Sequence, residues 1–533
     1  MSLCSLLVRI GVALTLAVLP AAAPARAQTN AHPDWAGWRQ ALTARLVQPR
    51  FAQARWGLEV VSLDSGKTLF AHDAEKLFTP ASNAKLFTGA LALDHLGPGF
   101  RIRTSFYAAH RPDPNGTLPA DLILYGRGDP TLGARGPTAD LEAALAPLVE
   151  ALAQAGVRRV EGDLVADASF FTGPPWGTGW EWDDLQEWYG AEVSALTFND
   201  NVAEVRVAPG ERAGVPARIS VRPPDPGLVL SNGVLTIAPD LRRDLHFYRA
   251  PAAALLSVSG RIPADGFGAV ETLAVPQPAA WLGQGLKQAL ARRGIAVTGT
   301  VRVRPAPEAG PAPSVRGSLI ELGGVESPPL RDLLARTFKP SQNLYAQLLL
   351  LQVGETVRAH PTNAPPGLSS LKTLTSEAAG LQALKGFLRA AGIAPETVLL
   401  EEGAGLSHGD LVTPAATVRL LQFMARHRWQ QAFLEALPVA GVDGTLKHRM
   451  LGTPAAGNLH AKTGSLNHVA SLSGYVTTAA GERLAFAMFL NNYADPDGRH
   501  PARADLDDLA VTLARLPWRS EPPAPLLTPV HPE

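Results

Sequence analysis

The sequence predicts an α+β fold: one antiparallel sheet built from both ends of the chain, helices packed on it, and a long β-rich insertion between. Three observations predict it. Residues 57–61 and 67–70 are strand-like runs on either side of a turn at Asp64-Ser65-Gly66. Residues 469–476 and 483–490 repeat that plan around Ala480-Gly481-Glu482 at the far end of the chain. The middle follows neither hairpin pattern, because two helix–glycine–strand units and several alternating segments interrupt it.

Taken in order, the first residues read as a leader. One basic residue precedes a continuous apolar run at 10–19, and small residues occupy the positions −3 and −1 from Ala27. That pattern predicts a secretory signal peptide cut after Ala27, leaving a mature protein that begins at Gln28 and works in the periplasm or an equivalent extracytoplasmic space. The apolar run is too short to anchor the chain across a bilayer. Cys4 is the only cysteine, so cleavage removes every thiol and excludes disulfides and Cys-ligated metals.

After the first hairpin, Phe78-Thr79-Pro80-Ala81-Ser82 leads into an apolar helix over 85–93, with proline placed where its missing N–H costs nothing. Leu141, Leu145, Leu148 and Leu152 recur at helical spacing, followed by Gly156 and a strand-like run at 162–166. Leu282, Leu286 and Leu290 repeat the plan ahead of Gly294 and a run at 299–301. Residues 202–207 and 217–221 alternate as strands do, 304–313 is a Pro/Ala-rich connector, and 517–533 is a Pro-rich tail expected to be disordered.

Composition narrows the function class. With 46% hydrophobic and 18% charged residues the chain can build real cores, and its length calls for two or three domains. Lysine plus arginine equal aspartate plus glutamate at 48 each, with no basic stripe, which argues against nucleic acid or an anionic membrane as partner. The histidines show no metal-binding spacing. Arg127-Gly128-Asp129 reads as a strand-to-turn junction, and Thr131 stands where a dinucleotide fingerprint would need its third glycine.

Three short motifs carry chemistry. Ser82-Asn83-Ala84-Lys85 opens a helix, so the hydroxyl and amine at i and i+3 share a face. A serine hydroxyl needs a neighbouring base to become a nucleophile, and a lysine whose pKa is lowered by burial can be that base. Ser369-Ser370-Leu371-Lys372 matches the same spacing and reads as a solvated loop. Ser341-Gln342-Asn343 supplies a second hydroxyl able to relay a proton and an amide able to hold a peptide backbone, although a helix cap would look the same. Lys462-Thr463-Gly464-Ser465, just before the last hairpin, offers a cation and hydroxyl for a substrate carboxylate, with a glycine that permits close backbone approach.

In that order and context the three motifs form the signature of β-lactamases and penicillin-binding proteins. The long gap between Lys85 and Ser341 resembles the class C low-molecular-mass penicillin-binding proteins, the D-alanyl-D-alanine carboxypeptidase/endopeptidase family. Residues 126–132, 194–201, 259–263 and 403–407 are similar to that family too, and the likeness runs from about residue 55 to about residue 492.

The resemblance implies a serine β-lactamase/transpeptidase-like domain, with an antiparallel five-stranded sheet flanked by helices, split by β-rich accessory domains. It divides the chain into a leader (1–27), a first catalytic part (28–95), two nested inserted domains (96–289), a second catalytic part (290–516) and the tail (517–533). Ser82 is then the acylated nucleophile, Lys85 its base and Ser341 the relay to the departing D-alanine. Asn343 grips the substrate amide, Lys462 and Thr463 the terminal carboxylate, and the backbone N–H groups of Ser82 and Ser465 form the oxyanion hole. Trp180-Glu181-Trp182-Asp183-Asp184 looks like a family segment that puts Asp184 and Tyr189 near the substrate side chain. His408 stands where relatives often carry arginine, and it lacks the permanent bidentate charge of a guanidinium.

The implied substrates are peptidoglycan stem peptides and their cross-links, with β-lactams as covalent inhibitors and no cofactor or metal. Other readings stay open on the sequence: a β-lactamase or DD-transpeptidase among enzymes, and an idle cell-wall binder or penicillin sensor outside them. The absence of a clear deacylating glutamate element and the intact motifs favour the carboxypeptidase/endopeptidase.

Overall fold

The computed structural model describes residues 34–133, 141–308, 317, 319–359, 373–495 and 498–521. The leader, the Ser369–Lys372 match and the tail beyond residue 521 lie outside the described residues. Among the described residues no helix is long and apolar enough to cross a membrane.

Both predicted hairpins form and join. The strands Arg55–Ser62, Thr68–His72, Val469–Thr477 and Arg483–Asn491 are joined by His460–Leu466 in one five-stranded sheet, antiparallel throughout, with His460–Leu466 at one edge. Arg483–Asn491 pairs with Arg55–Ser62 in the middle, which closes the two chain ends on each other.

Both faces of this sheet are covered, which is why its inner strands read as nearly continuous apolar runs. Ala485, Ala487 and Phe489 enter a core with the helices Ala84–Leu96, Leu330–Phe338, Asn343–Ala359, Ser376–Ala390 and Pro414–Met424. Leu484, Phe486, Met488 and Leu490 alternate to the other face, against Leu42 and Leu46 of the helix Trp35–Leu46 and Leu506 and Leu509 of Ala502–Ala514. Residues 517–521, read as the start of a disordered tail, are instead docked. Trp518 packs on Trp35 at 6.0 Å between ring centroids, Arg519 pairs with Asp64 at 2.9 Å, and the Ser520 N–H donates to Glu482 at 2.9 Å. An aromatic and two polar anchors outweigh the proline-rich composition there.

The insertion has its own core around a second five-stranded sheet, in the order Val301–Arg304, Leu164–Asp167, Leu122–Tyr125, Arg103–Ala108, Ile320–Glu326. The two helix–glycine–strand units are physical neighbours. After the helices Leu141–Gln154 and Pro278–Arg292, Gly156 and Gly294 take φ of 79° and 84°, the left-handed turn that ends a helix. The strands that follow pair in parallel with each other, Arg159 opposite Ala296 and Leu164 opposite Val301. Within the insertion, residues 202–274 form two three-stranded sheets around a separate small core.

This topology differs from the expected boundaries at one end. Residue 289 lies inside Pro278–Arg292, and strands Val301–Arg304 and Ile320–Glu326 belong to the inserted sheet. The chain rejoins the helical core of the first sheet at Leu330, so we place the second seam between Glu326 and Leu330. Hydrophobic periodicity marks strands but not the sheet they join, and that choice was made by non-local pairing.

Candidate active site

Ser82 sits in a single 3₁₀ turn, Ala81–Asn83, immediately ahead of the helix Ala84–Leu96. Ala81 takes a φ of 48°, a left-handed conformation that a non-glycine residue holds only when its surroundings impose it. Asn83 ties this turn to the sheet: its Nδ2 donates to Ser471 Oγ at 2.6 Å, and Ser471 Oγ donates to the Pro80 carbonyl at 2.7 Å.

Lys85 is wholly buried one turn further on. Its Nζ lies 2.9 Å from Ser82 Oγ, 2.6 Å from Asn343 Oδ1 and 2.5 Å from the Ala404 carbonyl. The Asn343 amide is oriented by its Nδ2, which donates to the Tyr189 carbonyl at 2.9 Å. Burial lowers the Lys85 pKa to about 7, opposed by the negative charges of Glu402 and Asp410. A substantial fraction is therefore free amine at neutral pH. Two of its three partners are carbonyl oxygens that can only accept, so the remaining two N–H bonds go to them and the lone pair faces Ser82, the one partner able to donate.

Ser341 occupies the left-handed position (φ 64°) that closes the helix Leu330–Phe338, where glycine is the usual residue. The Gln342 N–H returns to the Thr337 carbonyl at 2.9 Å across this turn, and Asn343 then begins the next helix. Lys462, also wholly buried, donates to Ser341 Oγ at 2.8 Å and to the Thr463 carbonyl at 2.8 Å. Burial, and then the charge of Lys85, push its pKa well below the ordinary lysine range.

A cleft of about 600 Å³ opens over these groups, lined by Ser82, Ser341, Asn343, Thr463, Gly464 and Ser465, and also by Asp184, Tyr189 and His408. A larger cavity of about 790 Å³ lies elsewhere and includes none of the predicted residues. Asp184 accepts from the Glu181 N–H at 3.2 Å, and burial raises its carboxyl pKa. Burial and then the Asp184 and Glu187 charges push the Tyr189 phenol up to about 12, which keeps it a neutral donor.

Three of the expected site residues carry contacts within the protein that the sequence does not show. Lys462 does not line the cleft but stands behind Ser341, because its buried amine is held by the Ser341 hydroxyl and the Thr463 carbonyl. Asn343 Oδ1 accepts from Lys85 and its Nδ2 donates to the Tyr189 carbonyl, which fixes the side chain between them and leaves a second N–H for the cleft it lines. Gly464 serves the protein's own packing: a Cβ there would meet Ser471 Oγ at 2.2 Å and the Pro80 carbonyl at 2.6 Å.

Several residues went unnoticed in the sequence. Thr445 accepts from Thr463 Oγ1 at 2.8 Å and lines the cleft, as do Trp188 and Asn467. Glu402 and Asp410, both buried, flank the Gly403–Ser407 stretch; two acids around a glycine-containing turn were the available signal.

Comparison with known proteins gives a consistent result. The sequence pattern of the D-Ala-D-Ala carboxypeptidase 3 (S13) family matches residues 38–513. A D-alanyl-D-alanine carboxypeptidase from Actinomadura sp. (strain R39) is 34% identical over 496 residues, covering 91% of this chain and 86% of that protein. The D-alanyl-D-alanine carboxypeptidase DacB of Haemophilus influenzae is 28% identical over 446 residues, covering 83% and 86%. The crystal structure of penicillin binding protein 4 (dacB) from that organism superposes with a TM-score of 0.73 at 27% identity, covering 89% of this chain and 97% of that one.

Proposed function

The chain belongs to the D-Ala-D-Ala carboxypeptidase 3 (S13) family, and from that premise we propose that it cleaves the terminal D-alanyl-D-alanine bond of peptidoglycan stem peptides through an acyl-enzyme on Ser82. The observation that carries this reading is the Lys85 amine, 2.9 Å from Ser82 Oγ with its other two partners unable to donate. Free Lys85 takes the Ser82 proton as the oxygen attacks the penultimate D-alanine carbonyl. The N–H groups of Ser82 and Ser465 receive the developing oxyanion.

Ser341 then relays the proton that Lys85 took from Ser82 to the amine of the departing D-alanine, which restores the Lys85 amine and the Ser341 hydroxyl, while Lys462 holds the Ser341 oxygen from behind. Water repeats the sequence on the acyl-enzyme and frees Ser82. The paired hydroxyls of Thr463 and Thr445 face the cleft where a terminal carboxylate would lie, with Lys462 bonded to Ser341 behind it. Asp184 and Tyr189 border the part of the cleft that would take the substrate side chain, with His408 at its rim. Endopeptidase action on cross-links follows from the same chemistry at a D-alanyl bond whose leaving amine belongs to a second stem.

β-Lactams would acylate the same serine. A crystal structure of the Haemophilus influenzae penicillin binding protein 4 complexed with a β-lactam, similar to this chain with a TM-score of 0.68 at 25% identity, supports that part of the reading. The proposed substrate and the leader pattern read in residues 1–27 both support a place of action outside the cytoplasm.

The test is labelling by fluorescent penicillin together with D-alanine release, in wild type and Ser82→Ala. Both signals should vanish in the variant while its circular dichroism is retained. An adduct mapping by peptide mass to Ser369 would overturn the assignment, and rapid turnover of benzylpenicillin would replace it with a β-lactamase.

A further inference from the structure

Two carboxyl groups lie buried behind the Lys85 amine, and the mechanism above does not use them. Glu402 and Asp410 both have no solvent exposure. Glu402 accepts the backbone N–H groups of Ala404 at 2.5 Å and Leu406 at 2.8 Å, and also that of Gly405. It thereby shapes the turn whose Ala404 carbonyl receives Lys85. Asp410 Oδ1 accepts the Glu401 N–H at 2.7 Å, whereas its Oδ2 is buried and has no donor to accept from among the described residues. The side-chain neighbour of Asp410 is the Glu402 carboxyl itself. Two carboxylates cannot bond each other, and a bond between them requires a proton on one.

We propose that Glu402 and Asp410 hold one proton between them, and that the single negative charge left on the pair is the fixed counter-charge of the Lys85 base. This rests on Lys85 being the base for Ser82. The charged groups around the pair agree with it. Glu401 flanks Asp410 and is bonded to Ser407, Glu377 faces Glu402 from the helix Ser376–Ala390, and Lys85 approaches from its own helix. Ionising both carboxyls would add a further buried charge to this acidic set, so retaining one proton is the lower-energy state. Asp410 is accordingly held far above the ordinary carboxyl range, by burial first and the Glu402 charge second.

Lys462 also reaches the site from the edge strand, but burial and then the charge of Lys85 push its pKa well below the ordinary lysine range, so it supplies no fixed charge of its own. Removing the pair would leave Lys85 buried with no anion acting on it. Lys85 would shed its proton at lower pH and become a weaker base. Glu402 and Asp410 are thus positioning residues: one braces the Ala404 carbonyl, and together they set the strength of an amine that touches the nucleophile.

The experiment follows the rate of Ser82 acylation by fluorescent penicillin against pH in wild type, Asp410→Asn, and the double variant Glu402→Gln/Asp410→Asn. Each is normalised to the fraction of protein that can be labelled. Asp410→Asn keeps a donor towards Glu402 and removes no net charge, so the midpoint of its acid limb should match wild type, whatever happens to the plateau. The double variant should move that midpoint down by about one pH unit, with a lower plateau.

A midpoint unmoved in the double variant overturns the proposal, and so does an equal shift in Asp410→Asn. Infrared difference spectra between wild type and Asp410→Asn give a second readout that does not depend on the double variant folding. A protonated-carboxyl band at neutral pH should be present in wild type and lost in the variant, and its absence from wild type overturns the shared proton. Failure of wild type to label at Ser82 would instead overturn the nucleophile assignment, which the Ser82→Ala control tells apart.

Discussion

Gly464 passes so close to Ser82 that a Cβ at 464 would stand 3.0 Å from the Ser82 backbone nitrogen. The edge strand and the turn that carries Ser82 are therefore packed backbone to backbone, which also sets the Ser82 N–H relative to the strand that carries Ser465. Gly464→Ala forces these apart. It should cost about 1–3 kcal/mol of stability, the usual range for overpacking, and slow penicillin labelling by at least about tenfold. Thermal melts and labelling rates check both; a variant with wild-type rates would show that the turn can shift without consequence.

If Lys85 acts as proposed, the rate of acylation should rise with pH through about 7, because the active form is then its free amine and burial lowers its pKa to about 7. Lys85→Arg should be inactive across the range, since a guanidinium keeps its proton. Stability carries the same sign. Folding lowers this pKa from 10.5 to about 7, so between those values the unfolded chain binds the extra proton and stability rises with pH. The Tm difference between wild type and Lys85→Met should change in that window and level off above it.

Ser341 pays for its place with a left-handed backbone, φ 64°. Ser341→Gly should therefore be more stable than Ser341→Ala by about 1 kcal/mol. Both variants should lose D-alanine release, because neither leaves a hydroxyl between Lys462 and the cleft. Denaturant titrations and product assays separate the two effects, and equal stabilities would show that the turn is unstrained.

Selectivity should follow the charges around the cleft. Asp184→Asn should reduce kcat/KM for stem peptides with a free side-chain ammonium by about 1–2 kcal/mol, the scale of one charged hydrogen bond, that is, about five- to thirtyfold. His408→Arg should raise the preference for peptides with a free side-chain carboxylate over their amidated forms. Paired kinetics on diaminopimelate peptides and their amides test both, and unaltered ratios in His408→Arg would make His408 a surface residue only.

Much of the fold was legible because its signals are local. The hairpin around residues 64–66, the hairpin around 480–482 and the helix–glycine–strand units each state their period and their turn residues within about twenty positions. What escaped was partner choice between distant segments. The strands Val301–Arg304 and Ile320–Glu326 look no different in sequence from strands of the first sheet, yet they pair with Leu164–Asp167 and Arg103–Ala108. The docked residues 517–521 were hidden by proline, because composition cannot report that Trp518 meets Trp35.

The same division runs through the site. The sequence pointed to the Ser82–Lys85 pair, since a separation of three residues at a helix start can bring hydroxyl and amine onto one face. It also identified Ser341, Asn343 and Lys462 to Ser465 as a set, through the order of their motifs. Only the tertiary structure decided that Lys462 turns to Ser341, 121 residues away, that Asn343 serves Lys85, 258 residues away, and that Glu402 and Asp410 lie behind that amine. A helical repeat brings neighbours in the sequence together at fixed spacing, whereas contacts across hundreds of residues exist only after the sheet has closed and the core has excluded water. The same exclusion lowers the lysine's affinity for its proton, so the chemistry of the base is a property of the packed protein and not of its motif.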